Sequence, residues 1–541
     1  MINFTEEQKA AIDHPGSLVI TACPGSGKTA VMAAKIQLEL EKLKSHQGVA
    51  AITFTKKASQ ELEHRCRAQG AQIRSSFFGT IDSFCLREII FPFGNYFFDN
   101  TLDETKPKYE GDLNDEERAL VMKFGDLDSC DRNVFIETIK ALQKMGTIFF
   151  PTIPQIALII HETYSACKNY INARYKTIYI DEYQDSSKSQ HHLFLSLVRN
   201  GCTGVAVGDL RQSIYGWRNC SPEYLKQLTT EPGFSHRTVS INHRCHPSIS
   251  NYSNRLFNQH FELVESGKTQ VWHCKFIGTQ HDAAVSLNRL IPAILDKNPN
   301  YRLSDVAILA RGNPTLDFIR EHLTIRCRVY TDNAIDDLNS QLGEFWSALL
   351  NYVSDSTLQT DYVLEKIINT EKLPRLKLIA LRRSIRRLRT TPQQGLMDEI
   401  LKITGSIQEK HCKPHELAAL VKITSDPEAL KQYLPPNLDE VQCMTIHKSK
   451  GLEFEVVIHL DLTEWIFPYR KFVSGSKEKI YPDWDQDLNL HFVAVTRAKS
   501  ICILAHTSER LNKEKLRKVG EPSPFLSLPG LAGLYGNFEY K

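Results

Sequence analysis

Nowhere in its 541 residues does the chain set two cysteines at CxxC spacing, although it has 13 of them. That absence argues against a zinc or iron–sulfur module, and an odd number of scattered thiols argues for a reducing compartment. No apolar run approaches the length that spans a bilayer, and the opening MINFTEEQKAAI lacks the pattern of a signal peptide. Both point to a soluble, cytoplasmic protein with no membrane partner. A strong charge of either sign is missing too. With 66 basic and 63 acidic residues the net charge is +3, so any nucleic-acid site must be a local groove. The hydrophobic share of 42% and charged share of 24% are ordinary for globular proteins. The length exceeds what one core serves and suggests roughly three or four domains.

Two phosphate-chemistry motifs stand against these absences. The first, ACPGSGKT, runs from Ala22 to Thr29. Leu18 to Thr21 before it are apolar and β-branched, Gly25 and Gly27 permit a tight loop, and Thr29 to Leu43 favours helix. A strand, glycine loop and helix in that order aim backbone N–H groups at phosphates. Ala22, Cys23, Pro24, Gly25, Ser26 and Gly27 would form the cradle, Lys28 would lie along the β- and γ-phosphates, and the Thr29 hydroxyl would be a ligand of Mg²⁺. The second motif, IYIDEYQD, runs from Ile178 to Asp185. Asp181 at the end of an apolar strand would hold the metal's water shell. Glu182 beside the γ-phosphate is the candidate base for the attacking water. ATP and Mg²⁺ are therefore the expected cofactors.

Further apolar strands are expected at Val49 to Phe54, Thr177 to Ile180, Val205 to Val207, Val306 to Leu309, Val456 to Leu460 and Ile501 to Ala505, with helical segments between them. That rhythm predicts an α/β protein with parallel sheets. Residues 85–169 and 331–436 break it, read as mostly helical, and are expected to be insertions. The first holds an acidic tract from Asp103 to Asp131, suited to a basic partner. The second holds KLPRLKLIALRRSIRRLRTT from Lys372 to Thr391. There Leu378, Leu381, Ile385 and Leu388 form a helical stripe, while Arg382, Arg383, Arg386, Arg387 and Arg389 cover the other faces. Such a helix suits a DNA backbone or an acidic partner.

With these residues the chain resembles the superfamily 1 DNA helicases of the UvrD/Rep/PcrA type. FTEEQKAAI at Phe4, TFTKKASQELEHR at Thr53, FGTIDSFC at Phe78, VGDLRQSIYGWRN at Val207, INHRCHPSI at Ile241, MTIHKSKGLEF at Met444 and FVAVTRAKS at Phe492 follow the family's order. The resemblance implies two RecA-like P-loop domains with parallel sheets, each carrying a mostly helical insertion. The boundaries expected are 1–84 and 170–236 for the first domain around insertion 85–169, and 237–330 and 437–541 for the second around insertion 331–436. It implies that Gln8 reads adenine, Glu453 holds the ribose, Gln212 links the γ-phosphate to the DNA side, and Arg244 and Arg497 are paired arginine fingers.

Phe54, Tyr215 and Trp217 lie in motifs that line the family's single-strand track, and aromatic rings grip any base by stacking. Thr80, Arg218 and His447 would add contacts. Three departures matter. Ala30 and His243 stand where the family sandwiches adenine between an arginine and a tyrosine, so base selectivity is expected to fall. Asp82 replaces a DNA-contacting histidine, and a carboxylate there repels phosphate. SERLNKEKLRKVGEPSP from Ser508 lacks the aromatic of the family's duplex-splitting hairpin. The reading is an ATP-driven 3′-to-5′ translocase and helicase on single-stranded DNA, or on duplex with a 3′ overhang, in repair or antiphage defence. Compact insertions also resemble the small helicase subunit of the Gabija antiviral system, which implies a partner nuclease. The alternative is a DNA-end or nucleotide sensor that regulates such a nuclease.

Overall fold

Val, Ile and Ala dominate the strands of two fully parallel sheets, and parallel strands covered on both faces carry such continuous apolar runs. The structure, a computed structural model, describes residues 3–68, 70–98, 101–102, 105–216, 220–331, 333–364, 366, 373–407, 412–434, 437–472, 478–511 and 516–540. Its strands in chain order begin with β1 (Leu18–Ala22), β2 (Gly48–Thr53) and β3 (Phe77–Thr80). A short pair, β4 (Lys106–Lys108) and β5 (Thr147–Phe149), comes next, followed by β6 (Tyr175–Ile180), β7 (Thr203–Gly208) and β8 (Ser235–Val239). The first sheet has the order β3-β2-β6-β7-β1-β8, every pair parallel.

The second sheet draws on β9 (Val271–Phe276), β10 (Val306–Ala310), β11 (Cys327–Tyr330), β12 (Val441–Thr445), β13 (Phe454–His459) and β14 (Ala498–Thr507). After the antiparallel hairpin β15 (Glu509–Leu511) and β16 (Arg517–Val519), β17 (Gly536–Tyr540) completes it. Its order is β11-β12-β10-β13-β14-β9-β17, again parallel throughout. Two such sheets are the two RecA-like domains that the sequence implied. Among the described residues no helix is long and apolar enough to cross a membrane. All 13 cysteines are free thiols.

The two helical stretches are built differently. Phe135, Ile139, Ile153, Ile156 and Ile160 of the first share a core with Val19, Ala50 and Ile52 of the first sheet. The second has a core of its own around Trp346, Leu349, Ile385, Ile400 and Leu420, where the Trp346 indole N–H donates to Thr404 Oγ1 at 2.9 Å. The first stretch is therefore fastened to its sheet by shared burial, whereas the second can keep its packing if its orientation changes.

The arginine-rich segment forms the helix Arg375–Leu388, and Leu381, Ile385 and Leu388 of its stripe are buried. Tertiary partners claim several of its cations. Arg382 pairs with Asp361 at 2.7 Å and Arg387 lies 3.8 Å from Glu399. Arg389 lies over the Tyr352 ring at 3.9 Å and donates to the carbonyls of Tyr352, Asp355 and Leu358. Arg383 and Arg386 face solvent.

The acidic tract meets this chain's own second insertion. Asp103 lies outside the described residues. Within the rest, Asp112 accepts from the Gln341 N–H at 3.0 Å, Gly111 N–H donates to Asn339 O at 3.3 Å, and the Tyr109 hydroxyl donates to Glu344 at 2.7 Å. Glu117 is buried, paired with Lys108 and hydrogen-bonded to Thr147. Part of the charge expected to greet a basic partner is thus spent inside the molecule.

Candidate nucleotide site and aromatic track

Loops leaving the carboxyl ends of parallel strands are where open α/β sheets bind ligands, and β1, β6, β7 and β8 each deliver one part of the motifs there. After β1 the chain turns on Gly25 (φ 69°) and Gly27 (φ 76°), conformations strained for any side chain. A methyl group on Gly25 would lie 2.5 Å from Arg244 Cβ and 2.6 Å from Asn242 Oδ1. Glycine is what lets the segment after β8 seat on this loop, and the His243 N–H donates to Gly25 O at 3.0 Å. Ala22 and Pro24 are buried, and Ser26 Oγ donates to Cys23 O at 2.7 Å. The Cys23 thiol donates to Ser240 O at 3.1 Å, and burial, with Asp209 adding, pushes it up to about 12. It is a structural thiol rather than a nucleophile.

Gly27 caps the helix Lys28–Leu40 in the left-handed conformation. Helical N–H groups of the first turn lack intrahelical acceptors, so the half-buried Lys28, Thr29 and Ala30 open an anion site. Gln8 is buried against it. Its Oε1 accepts from the Thr5 N–H at 2.8 Å and its Nε2 donates to Ser26 O at 2.9 Å. One N–H and one lone pair of the amide remain for an adenine edge. His243 is exposed.

Lys28 Nζ lies 3.9 Å from Glu182 Oε1. Burial alone would lower the ammonium, and Glu182, Asp209 and Asp181 outweigh it, holding Lys28 above the ordinary lysine value. Burial and then Glu182 raise the Asp181 carboxyl. Burial would raise Glu182 as well, but Lys28, Lys450 and a hydrogen bond from Gln184 hold it below the usual carboxylate range. The two carboxyls are driven apart: Glu182 stays ionised, while Asp181 carries a cost that a bound divalent cation would relieve. A hydroxyl and a carboxylate are hard oxygen donors of the kind Mg²⁺ takes together with water and phosphate. Glu182 sits at φ 53°, a strained value for a residue with a side chain.

A relay of hydrogen bonds leaves Glu182. Gln184 Nε2 donates to Glu182 Oε2, and Gln184 Oε1 accepts from the Asp209 N–H at 3.0 Å. Gln212 Nε2 donates to Asp209 Oδ2 at 2.7 Å, and Arg497 Nη2 donates to Gln212 Oε1 at 3.3 Å. Arg497, 2% exposed, also donates to the carbonyls of Val493 and Leu452 at 3.1 Å each. Burial and then Arg244 press its guanidinium down to about 10, still charged at neutral pH. Arg244 Nε forms an ion pair with Glu453 at 2.7 Å, and Lys499 reaches the other oxygen of Glu453 at 3.2 Å. Both expected fingers and the expected ribose holder thus meet on the face that the second domain turns to the glycine loop.

On the track side, Phe54 leaves β2 38% exposed and stacks on Tyr215, centroids 5.3 Å apart and planes 13° from parallel. The His447 ring follows at 6.3 Å from Tyr215, and Lys450 Nζ lies 4.9 Å from the Tyr215 centroid. Tyr215, Arg311, Asn313, His447, Lys448 and Lys450 line a cleft of about 670 Å³. Thr80 caps the helix Ile81–Phe84, accepting from the Ser83 N–H at 3.4 Å. Burial raises the Asp82 carboxyl to about 7, so near neutral pH it carries only part of a charge and repels phosphate less than a full carboxylate. Trp217 and Arg218 lie outside the described residues.

Residue types alone did not single out Gln184, Asp209, Arg311 or Lys450. Lys450 pairs with Asp185 and donates to Gln212 O at 2.9 Å while lying over Tyr215, so one ammonium touches the nucleotide side and the track side together. Its signal was a lysine inside IHKSKGLEF, where only His447 and Glu453 had been given roles.

Comparison with known proteins finds a likeness to UvrD-like helicases. The model of the UvrD/REP helicase N-terminal domain matches residues 4–90 and 100–232, and that of the UvrD-like helicase C-terminal domain matches residues 351–509. The chain is 28% identical to the Gabija protein GajB of Bacillus cereus (strain VD045), over 91% of this chain and 93% of that protein. It is 23% identical to the ATP-dependent DNA helicase PcrA of Staphylococcus aureus (strain Mu50), over 94% of this chain and 83% of the helicase.

Lys28→Ala and Glu182→Gln are both expected to abolish ATP turnover but to part in binding. Loss of Lys28 removes charge from the phosphates and lowers affinity, whereas Glu182→Gln keeps the loop and traps ATP. Titration with a fluorescent nucleotide checks this, and equal losses of affinity would reverse the role assignment. Tyr215→Ala is expected to weaken single-strand binding by about 1–3 kcal/mol whatever the base sequence, and a loss restricted to particular sequences would mark base-edge readout instead.

Proposed function

The chain belongs to the UvrD-like helicase family, a family of ATP-dependent DNA helicases, and from that premise we propose an ATP-driven translocase that moves 3′ to 5′ along single-stranded DNA and hydrolyses ATP to ADP and phosphate. The observation that carries the proposal is the relay from Glu182 through Gln184, Asp209 and Gln212 to Arg497, because it joins the candidate base of one domain to the candidate finger of the other. In this reading the Ala22–Thr29 loop holds the phosphates, Lys28 and Arg497 offset charge on the transferring group, and Glu182 takes the proton of the attacking water. Thr29 and Asp181 would hold Mg²⁺, which draws charge from the phosphate oxygens when bound. Gln8 would meet the adenine and Glu453 the ribose, which requires Glu453 to loosen its pair with Arg244.

Phe54, Tyr215, Trp217, Arg218, Thr80 and His447 would hold the DNA, drawn from a single strand or a 3′ overhang. The six segments bounded at residues 84, 169, 236, 330 and 436 are the proposed domain parts. A role in antiphage defence beside a partner nuclease is supported by the likeness to the Gabija protein GajB across nearly the whole of both chains.

ATP turnover measured with and without single-stranded DNA tests the proposal. Strong stimulation is expected, because Lys450 touches both the track and the relay. Turnover that DNA leaves unchanged or suppresses would favour a nucleotide sensor that governs a partner nuclease.

A further inference from the structure

Splitting a duplex needs a rigid group where the single strand leaves its complement, and the hairpin β15–β16 offers no aromatic ring for it. From Ser508 to Pro524 the sequence holds none, and the hairpin exposes Leu516 and Val519 instead. A neighbouring segment between β13 and the helix Trp484–Val495 does carry an exposed ring. Phe472 is 74% exposed, beside the exposed Lys471. Lys471 pairs antiparallel with Ile480, its N–H donating to Ile480 O at 2.9 Å, so Phe472 follows directly on the pair that joins two arms of the chain.

The base of the two arms is firmly built. Glu464, buried, accepts from Arg470 at 3.0 Å, from Lys479 at 3.0 Å and from the Tyr481 hydroxyl at 2.7 Å, so one carboxylate holds both arms. The Trp465 ring lies under Arg470 at 4.3 Å and under Arg510 of β15 at 5.2 Å, which fastens the arms to the hairpin. The same segment reaches the cleft. The Tyr469 N–H donates to Asp487 Oδ2 at 2.8 Å, Asp487 Oδ1 pairs with Arg311 at 2.9 Å, and Arg311 lines the cleft with Tyr215. From Tyr469 to Phe472 is three residues, at most about 10 Å of chain.

We propose that Phe472 is the strand-separating ring of this protein, resting on the translocase reading above. As a strand is drawn into the cleft, the ring stacks on the last base pair of the duplex, and Lys471 meets the adjoining phosphate. Stacking suits the task because every base has a π-face and the grip does not depend on sequence.

The test uses the full chain and a duplex with a 3′ single-stranded overhang, its last base pair carrying 2-aminopurine. Phe472→Ala should slow strand displacement by roughly tenfold, the factor one lost stacking contact sets. ATP turnover on single strands should stay at the wild-type level, and Phe472→Trp should restore displacement. Wild-type displacement by Phe472→Ala, or a loss of ATP turnover in step with displacement, would overturn the assignment, as would the same loss from Leu516→Ala alone. The fluorescence arm needs binding only. Wild type should alter the 2-aminopurine signal and Phe472→Ala should not, whereas equal signals remove Phe472 from the junction. If turnover ignores single strands altogether, the translocase reading fails on that result, and the fluorescence arm still decides the place of Phe472.

Discussion

A guanidinium buried with no carboxylate at hydrogen-bond distance among the described residues is the constraint on which the rest of the site depends. Arg497 is enclosed by carbonyl oxygens of its own domain and by the amide oxygen of Gln212 from the other, and its charge survives burial. A buried charge is costly unless it is well hydrogen-bonded, so the domains are held where Gln212 can serve it. A polyphosphate arriving at Lys28 would add negative charge to that which Glu182 and Asp209 already set near this guanidinium. The nucleotide site and the domain interface are then one electrostatic problem.

Lys450 extends the coupling to the track. It sits between Asp185, the Gln212 carbonyl and the Tyr215 ring that stacks on Phe54. Glycine at position 25 belongs to the same account, because a side chain there would push Arg244 and Asn242 away from the phosphate loop. The second insertion has a core of its own around Trp346, and its contacts with Gly111 and Asp112 define the arrangement it occupies in this structure.

Much of this was legible in the sequence wherever function rests on local order. The phosphate loop, the Asp181-Glu182 strand end and all six expected apolar strands lie where the residues put them, with ends shifted by at most three positions. The stripe on the arginine helix was legible too, with Leu381, Ile385 and Leu388 buried. Partners distant in sequence were not. Gln212 and Arg497 are 285 residues apart, and nothing local to either names the other. Arg389 looked like one more phosphate-seeking cation until the Tyr352 ring and three carbonyls claimed it. The acidic tract looked free because the donor that Asp112 meets, the Gln341 N–H, is a backbone group that no side-chain pattern announces. The strands β3, β8, β11 and β17 were missed at the edges of the two sheets, where the apolar signal is diluted, and the interior strands β9 and β12 were missed as well.

The central claim is that nucleotide and DNA are coupled through Gln212 and Lys450, and coupling of binding free energies is reciprocal. Titrating a single-stranded oligonucleotide with and without a non-hydrolysable ATP analogue measures it directly. The account predicts that the analogue changes the DNA Kd by at least about fivefold in the wild-type chain, and that the ratio falls toward one in Gln212→Ala. The same Kd with and without the analogue in the wild-type chain would contradict it.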